Sequence, residues 1–212
     1  MLTQKDESIA ALKTLAANYP NASQITEVRF RLAENAFATN RFAEAADYYA
    51  QVLENKNSNF YDQSLYKRAW SLYRISDFDT ALPLFFSYAD KIWVKTSKTP
   101  QESEALQNAL DVISLSFIQL DGARSLDAYF DKVGTKFYES IIYNRVAKTY
   151  IDKKIYKEAA EIYEAYIRRH PFDPEAPELS SAIINTYDLG GFPKDVMLAK
   201  EQYVQHYNAE ST

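Results

Sequence analysis

Two histidines, no cysteine, 17 tyrosines, 12 phenylalanines and two tryptophans are what this chain of 212 residues brings to chemistry. Without cysteine there is no disulfide, thiolate nucleophile or thiolate metal ligand. His170 follows Arg168 and Arg169 at what reads as a helix end, where cations complement unpaired carbonyls. His206 lies in the last helical segment, too remote to share a metal or a proton with His170. No glycine-rich phosphate loop, no HExxH and no serine nucleophile elbow occurs. Asn21-Ala22-Ser23 matches a glycosylation sequon, a three-residue pattern that arises often by chance. Glu158 and Glu161 read as a solvated face. These residues point to no catalytic site, metal or cofactor, so an enzyme is not expected.

The aromatic residues are the remaining signal. In YKRAWSLYRISDFDTALPLF, residues 66 to 85, Tyr66, Trp70 and Tyr73 follow i, i+4, i+7 and form one helical stripe. Ala69 and Leu72 form another. One stripe suffices to build a core, which leaves the rings for a partner, because tyrosine and tryptophan bury much area at low entropic cost. The net charge of −5, with no basic stripe, removes the electrostatic term that dominates nucleic-acid binding. The apolar run TALPLFFSYA has ten residues, half of what a membrane span needs. MLTQKDESIAALKTL has no apolar run after a basic start and is no secretory leader.

The elements that carry these residues recur. RLAENAFATNRFAEAADYYAQVL has Leu32, Ala33, Ala36, Ala45, Tyr49 and Val52; YKRAWSLYRISDFDTALPLFFSY has Ala69, Leu72, Ala81, Phe85 and Tyr88. YNRVAKTYIDKKIYKEAAEIYEAYI has Val146, Ala147, Tyr150, Ala159, Tyr163 and Tyr166. A weaker copy, LDVISLSFIQLDGARSLDAYFDKV, has Ile113, Ser114, Phe117, Leu126, Phe130 and Val133. Small residues at Ala33, Ala69, Ser114 and Ala147 let two helices approach, and aromatics fill the gaps beside them.

This pattern resembles the tetratricopeptide repeat, closely in three copies and recognisably in the fourth. The resemblance implies an all-α, right-handed superhelical solenoid of stacked antiparallel helix pairs, about eleven helices in all. One solenoid is expected over 1–212: a lone second helix in 1–20, repeats at 26–60, 62–97, 100–135 and 140–173, and a degenerate pair at 174–212. Thr99-Pro100-Gln101-Glu102 reads as a capping box, so the first helix of the third repeat starts near 100 and runs to Asp121. Asp173 and Pro174 start the first helix of the last pair and Pro193 the second, where Asp195 falls in the slot that alanine fills elsewhere. Pro83 sits inside a helix and is expected to bend it. A chain that begins in mid-repeat is expected to be a piece of a longer one.

In the family, the first helix of each repeat lines a concave surface. Carried over, those positions fall on Phe30, Glu34 and Phe37, then on Tyr66, Trp70, Tyr73 and Arg74. In the third and fourth repeats they fall on Asp111, Leu115, Ile118, Asn144, Lys148 and Ile151, a more mixed set. The family's carboxylate clamp needs lysine and asparagine where this chain has Phe30 and Glu34, then Lys67 alone, so the clamp is not made. AALKTLAANYPNASQITEVRFRLAENAF and YKRAWSLYRISDFDTAL further resemble repeat proteins of the bacterial envelope, which implies a periplasmic scaffold, with a cytoplasmic one as the alternative. The function expected is a scaffold that takes a peptide or helix of a protein partner into an aromatic groove. The alternatives are self-assembly through the N-terminal helix SIAALKTL, or a non-catalytic domain of a larger enzyme.

Overall fold

The computed structural model describes residues 4–207, which form eleven α-helices and, among the described residues, no strand. The chain divides into two compact units, Met1–Ala109 and Leu110–Thr212. The first holds α1 (Gln4–Asn18), α2 (Ile25–Ala38), α3 (Phe42–Leu53), α4 (Tyr61–Arg74) and α5 (Phe78–Trp93). The division falls within α6 (Pro100–Gln119). The second unit continues with α7 (Gly122–Val133), α8 (Glu139–Asp152), α9 (Tyr156–Arg169), α10 (Ala176–Leu189) and α11 (Pro193–Tyr207).

Within each unit the helices pack in chain order: α1 to α5 in the first, α8 to α11 in the second, where α7 also meets α9. What folds four of the pairs back on themselves is one repeated turn, the connection of α6 to α7 being the exception. Asn40, Ser76, Lys154 and Gly191 all take the left-handed conformation, at φ of 60°, 64°, 61° and 72°. In each case the next residue's N–H donates to the carbonyl five positions back: Arg41 to Ala36, Asp77 to Leu72, Ile155 to Tyr150 and Phe192 to Tyr187. This closes the end of the first helix and aims the chain into the second. Five residues beyond each left-handed position comes a buried small side chain, Ala45, Ala81, Ala159 and Val196.

That register corrects one expectation. The slot of alanine in the last pair belongs to Val196, 8% exposed, and Asp195 stands beside it in an ion pair with Lys157. The start of α10 also moves: Asp173 accepts a hydrogen bond from the N–H of Glu175, and the helix begins at Ala176 with Pro177 in its first turn. Pro83 is exposed, and α5 runs through it unbroken, from Phe78 to Trp93.

The small residues expected at the crossings are buried: Ala33, Ala69 and Ala147 at 0% exposure and Ser114 at 3%. Around them the first unit buries Leu32, Tyr49, Phe85 and Ile92, and the second buries Leu110, Phe117, Phe130 and Ile142. The apolar stripe of α1 is used inward, Ile9, Leu12 and Ala16 packing against Ile25, Val28 and Leu32 of α2.

α6 starts where the capping box places it. Glu102 N–H donates to Thr99 Oγ1 at 3.1 Å, and Thr99 N–H donates back to Glu102 Oε2 at 2.9 Å. Two otherwise unpaired donors are satisfied reciprocally. Thr99→Ala is therefore expected to cost about 1 kcal/mol of stability, read as a lower urea midpoint. Thr99→Ser, which keeps the acceptor, should restore most of it.

Candidate functional site

The residues assigned to the binding face lie on α2 and α4, the first helices of two successive pairs. On α2, Phe30 stacks on Phe60 with ring centroids 4.5 Å apart and tilts toward Tyr49 at 6.3 Å. Phe37 meets Phe42 edge-on at 5.5 Å and Tyr49 at 6.5 Å. Glu34, between them, accepts hydrogen bonds from the Tyr49 hydroxyl and from Lys67 Nζ, each at 2.5 Å. Burial, and then the bond to this carboxylate, holds the Tyr49 hydroxyl far above the usual phenol range.

On α4 the rings of Tyr66, Trp70 and Tyr73 form a ladder, with centroids 6.2 Å apart at the first step and 5.5 Å at the second. All three also rest on one side chain of α5, Phe85, at 6.3, 5.4 and 6.4 Å. Tyr66 leans on Tyr88 at 4.9 Å, and Tyr73 meets Phe78 at 5.2 Å. Burial, with Tyr66, Glu102 and Asp62 nearby, pushes the Tyr88 hydroxyl up to about 12.

The two stripes expected to be separate are therefore coupled. Phe85 is wholly buried, while Tyr66, Trp70 and Tyr73 above it are partly buried, neither core nor free. Phe30 and Phe37 are in the same condition. Rings held at their base and open at their rim make a stiffer surface than exposed rings would.

Lys67 joins the two groups and was passed over in the sequence as a remnant of an incomplete clamp. It pairs with Glu34 and lies 5.5 Å from the Phe37 centroid. Arg74 performs the same task at the helix end, its guanidinium 4.7 Å from the Phe42 centroid. The α2 trio, Lys67 and the α4 set thus share one face of the first unit. Chemically it offers aromatic rims, two cations partly occupied by rings, and one carboxylate already engaged, which suits contact with apolar and aromatic side chains.

The second unit's positions are less uniform. Asp111 pairs with Arg145 at 2.6 Å, Asn144 accepts from the Tyr163 hydroxyl at 3.1 Å, and Lys148 is exposed. Leu115 is 46% exposed, while Ile118 and Ile151 are partly buried. His170 is tied into the structure, Nε2 lying 2.9 Å from the buried Glu139 carboxylate; His206 faces its own helix, with Nδ1 2.7 Å from the Gln202 carbonyl. Among the described residues no group of three or more histidine, aspartate or glutamate side chains is placed to hold a metal. No described helix is long and apolar enough to cross a membrane.

Comparison with known proteins adds three findings. A family model described as tetratricopeptide repeat matches residues 2–60. No curated protein matches. Solved structures similar to this chain include the MamA protein, at 14% identity over 87% of this chain and 93% of that one, with a TM-score of 0.43. A tetratricopeptide repeat protein from Parabacteroides merdae is 17% identical over 95% of this chain and 73% of that one, with a TM-score of 0.44. BtubC (BKLC) from P. vanneervenii is 13% identical over 94% and 87%, with a TM-score of 0.40.

Proposed function

We propose, from the premise that this is a tetratricopeptide repeat protein, that it is a protein–protein interaction scaffold whose binding face is the aromatic surface of α2 and α4. The observation that carries the reading is the ladder of Tyr66, Trp70 and Tyr73, fixed at its base by Phe85 and continued across Lys67 to Phe37. Its ligand is an extended or helical protein segment that presents apolar and aromatic side chains to the ring rims. Aromatic anchors in prepositioned pockets dominate such interfaces.

The test uses peptides selected from a random library on the immobilised full chain, then titrated calorimetrically. Trp70→Ala should cost roughly 2 kcal/mol of affinity, roughly thirtyfold. Arg74→Ala, at an exposed position, should weaken binding less and leave melting unchanged. Phe172→Ser, at a side chain 97% exposed in the second unit, is the control and should change nothing. Selected peptides that bind Trp70→Ala and Arg74→Ala as they bind the parent would move the site off α4.

Placement in a bacterial envelope complex is supported by the phrasing of residues 10–37 and 66–82 alone. Fractionation of the native host tests it, and recovery with the cytoplasm would overturn it. Self-assembly through α1 has less support, because Ile9 and Leu12 are already packed on α2 and, among the described residues, Leu15 and the adjoining Tyr19, 37% and 65% exposed, are the large apolar side chains left outward.

A further inference from the structure

Between α9 and α11, floored by α10, lies a cleft of about 650 Å³. Its walls include Glu164 of α9, Tyr187 of α10, and Leu198, Tyr203 and His206 of α11. One pair earlier the corresponding helices, α7 and α9, are in contact and joined by ion pairs. There Asp131, which follows the buried Phe130, is met by Arg169, the last residue of α9; Arg169 Nε also donates to Glu139 at 3.1 Å. Arg168 beside it reaches Asp127 at 3.2 Å.

Register carries the comparison one pair onward. The buried residues Leu126 and Phe130 of α7 correspond to Ala159 and Tyr163 of α9, so Asp131 corresponds to Glu164. The left-handed turns at Lys154 and Gly191 set α11 against α9, so Arg168 and Arg169 correspond to Gln205 and His206. The acid is kept and the arginines are gone. His206, which also lines the cleft, turns to the Gln202 carbonyl. Arg168, at the cleft's rim, is held by Asp127, and its charge favours the Glu164 carboxylate less than burial disfavours it.

Glu164 instead accepts a hydrogen bond from the Tyr187 hydroxyl at 3.1 Å, and burial raises its carboxyl above the usual carboxylate range. A carboxylate held in that condition gains from an incoming cation. In the same lining Leu198 stays 55% exposed, and the partly buried Tyr203 ring packs beside Tyr207 at 5.3 Å. A guanidinium fits both features, pairing with the acid and stacking on rings.

We propose that the cleft between α9 and α11 is a docking site for a basic helical segment of a partner protein, which sets an arginine against Glu164 as Arg169 is set against Asp131. Charge agrees with this occupant, since the chain carries a net −5. The site lies in the second unit, apart from the aromatic face of α2 and α4, and does not depend on it.

The probe is a synthetic peptide of residues 156–170, the helix that carries the closing arginines in this chain, with its glutamates at 158, 161 and 164 replaced by glutamine so that it is basic, labelled and titrated against the full protein. Saturable binding is expected, weakened at least tenfold by Glu164→Gln in the protein or by replacing both arginines of the peptide with glutamine. Absence of saturation at millimolar peptide, or binding indifferent to Glu164→Gln, would overturn the proposal. His206→Arg supplies the missing side chain in cis. It should raise the melting temperature and exclude the peptide, and Glu164→Gln should abolish that gain. A melting temperature that His206→Arg leaves unchanged would show that residue 206 does not face the acid, and the register behind the proposal would fall. Concentration-dependent dimerisation without peptide, broken by Glu164→Gln, would assign the cleft to a second copy of the chain instead.

Discussion

Phe85→Ala is expected to lower the stability of this protein by about 3–5 kcal/mol and to degrade the binding face at the same time. Phe85 is fully buried and is the shared base of three rings, so its loss opens a cavity under α4 and removes what holds Tyr66, Trp70 and Tyr73 in line. Trp70→Ala removes a partly buried ring from the rim of the same cluster and should cost less, about 1–2 kcal/mol, because less apolar area leaves water-free contact. The two variants separate fold from function only if compared well below both unfolding midpoints. There, Trp70→Ala should be folded and defective in binding. Phe85→Leu should recover most of the stability yet bind weakly, since it fills the cavity without offering the α4 rings an aromatic edge. Full binding by Phe85→Leu would mean that the ladder does not need its base.

Helix pairing was legible in the sequence because the signal is local and repeated. A left-handed turn residue and a small side chain five positions on recur at Asn40 and Ala45, Ser76 and Ala81, Lys154 and Ala159. The last pair was misphased by one residue because Val196 is larger than the alanine sought and Asp195 adjoins it. Only the turn at Gly191 fixes the register. At the binding face, the stripe of Tyr66, Trp70 and Tyr73 could be read from spacing, but its relation to Phe85 could not. Helical period assigns a side chain to a direction, and an aromatic ring is large enough to reach across two such directions.

The role of Lys67 was hidden for a different reason. Its partner Glu34 lies 33 residues away, one repeat, and so do Asp62 and Lys95; Asp111 and Arg145 are 34 apart. Opposite charges spaced by one period are a signal the sequence carries, visible only once the repeat is phased. Glu164 follows from the repeat in another way: it stands one period of 33 residues beyond Asp131, whose own partner Arg169 is 38 residues on.

The other large effect expected is at Glu139. This carboxylate is 1% exposed, at the first position of α8, where it accepts from Arg169 Nε at 3.1 Å and lies 2.9 Å from His170 Nε2. It also accepts from the Lys136 N–H at 3.3 Å. Removing one member of a buried pair strands the other and typically costs about 3–5 kcal/mol. Here Arg169 keeps Asp131, so Glu139→Ala should fall near the low end, at about 3 kcal/mol. Glu139→Gln keeps an acceptor for Arg169 and should cost less. Arg168→Ala is the contrast: its pair with Asp127 has an arginine side chain 62% exposed, and such pairs contribute about 0–1 kcal/mol. Urea unfolding of the three variants, of Arg169→Ala and of the Glu139→Ala, Arg169→Ala double mutant measures the coupling directly. Since Arg169 ends α9 and α9 is one wall of the open cleft, Glu139→Ala should also weaken docking there, with Glu164 intact. An unfolding midpoint that Glu139→Ala leaves within error of the parent would show that the buried carboxylate is dispensable, and that apolar packing of α7 on α9 alone holds that wall in place.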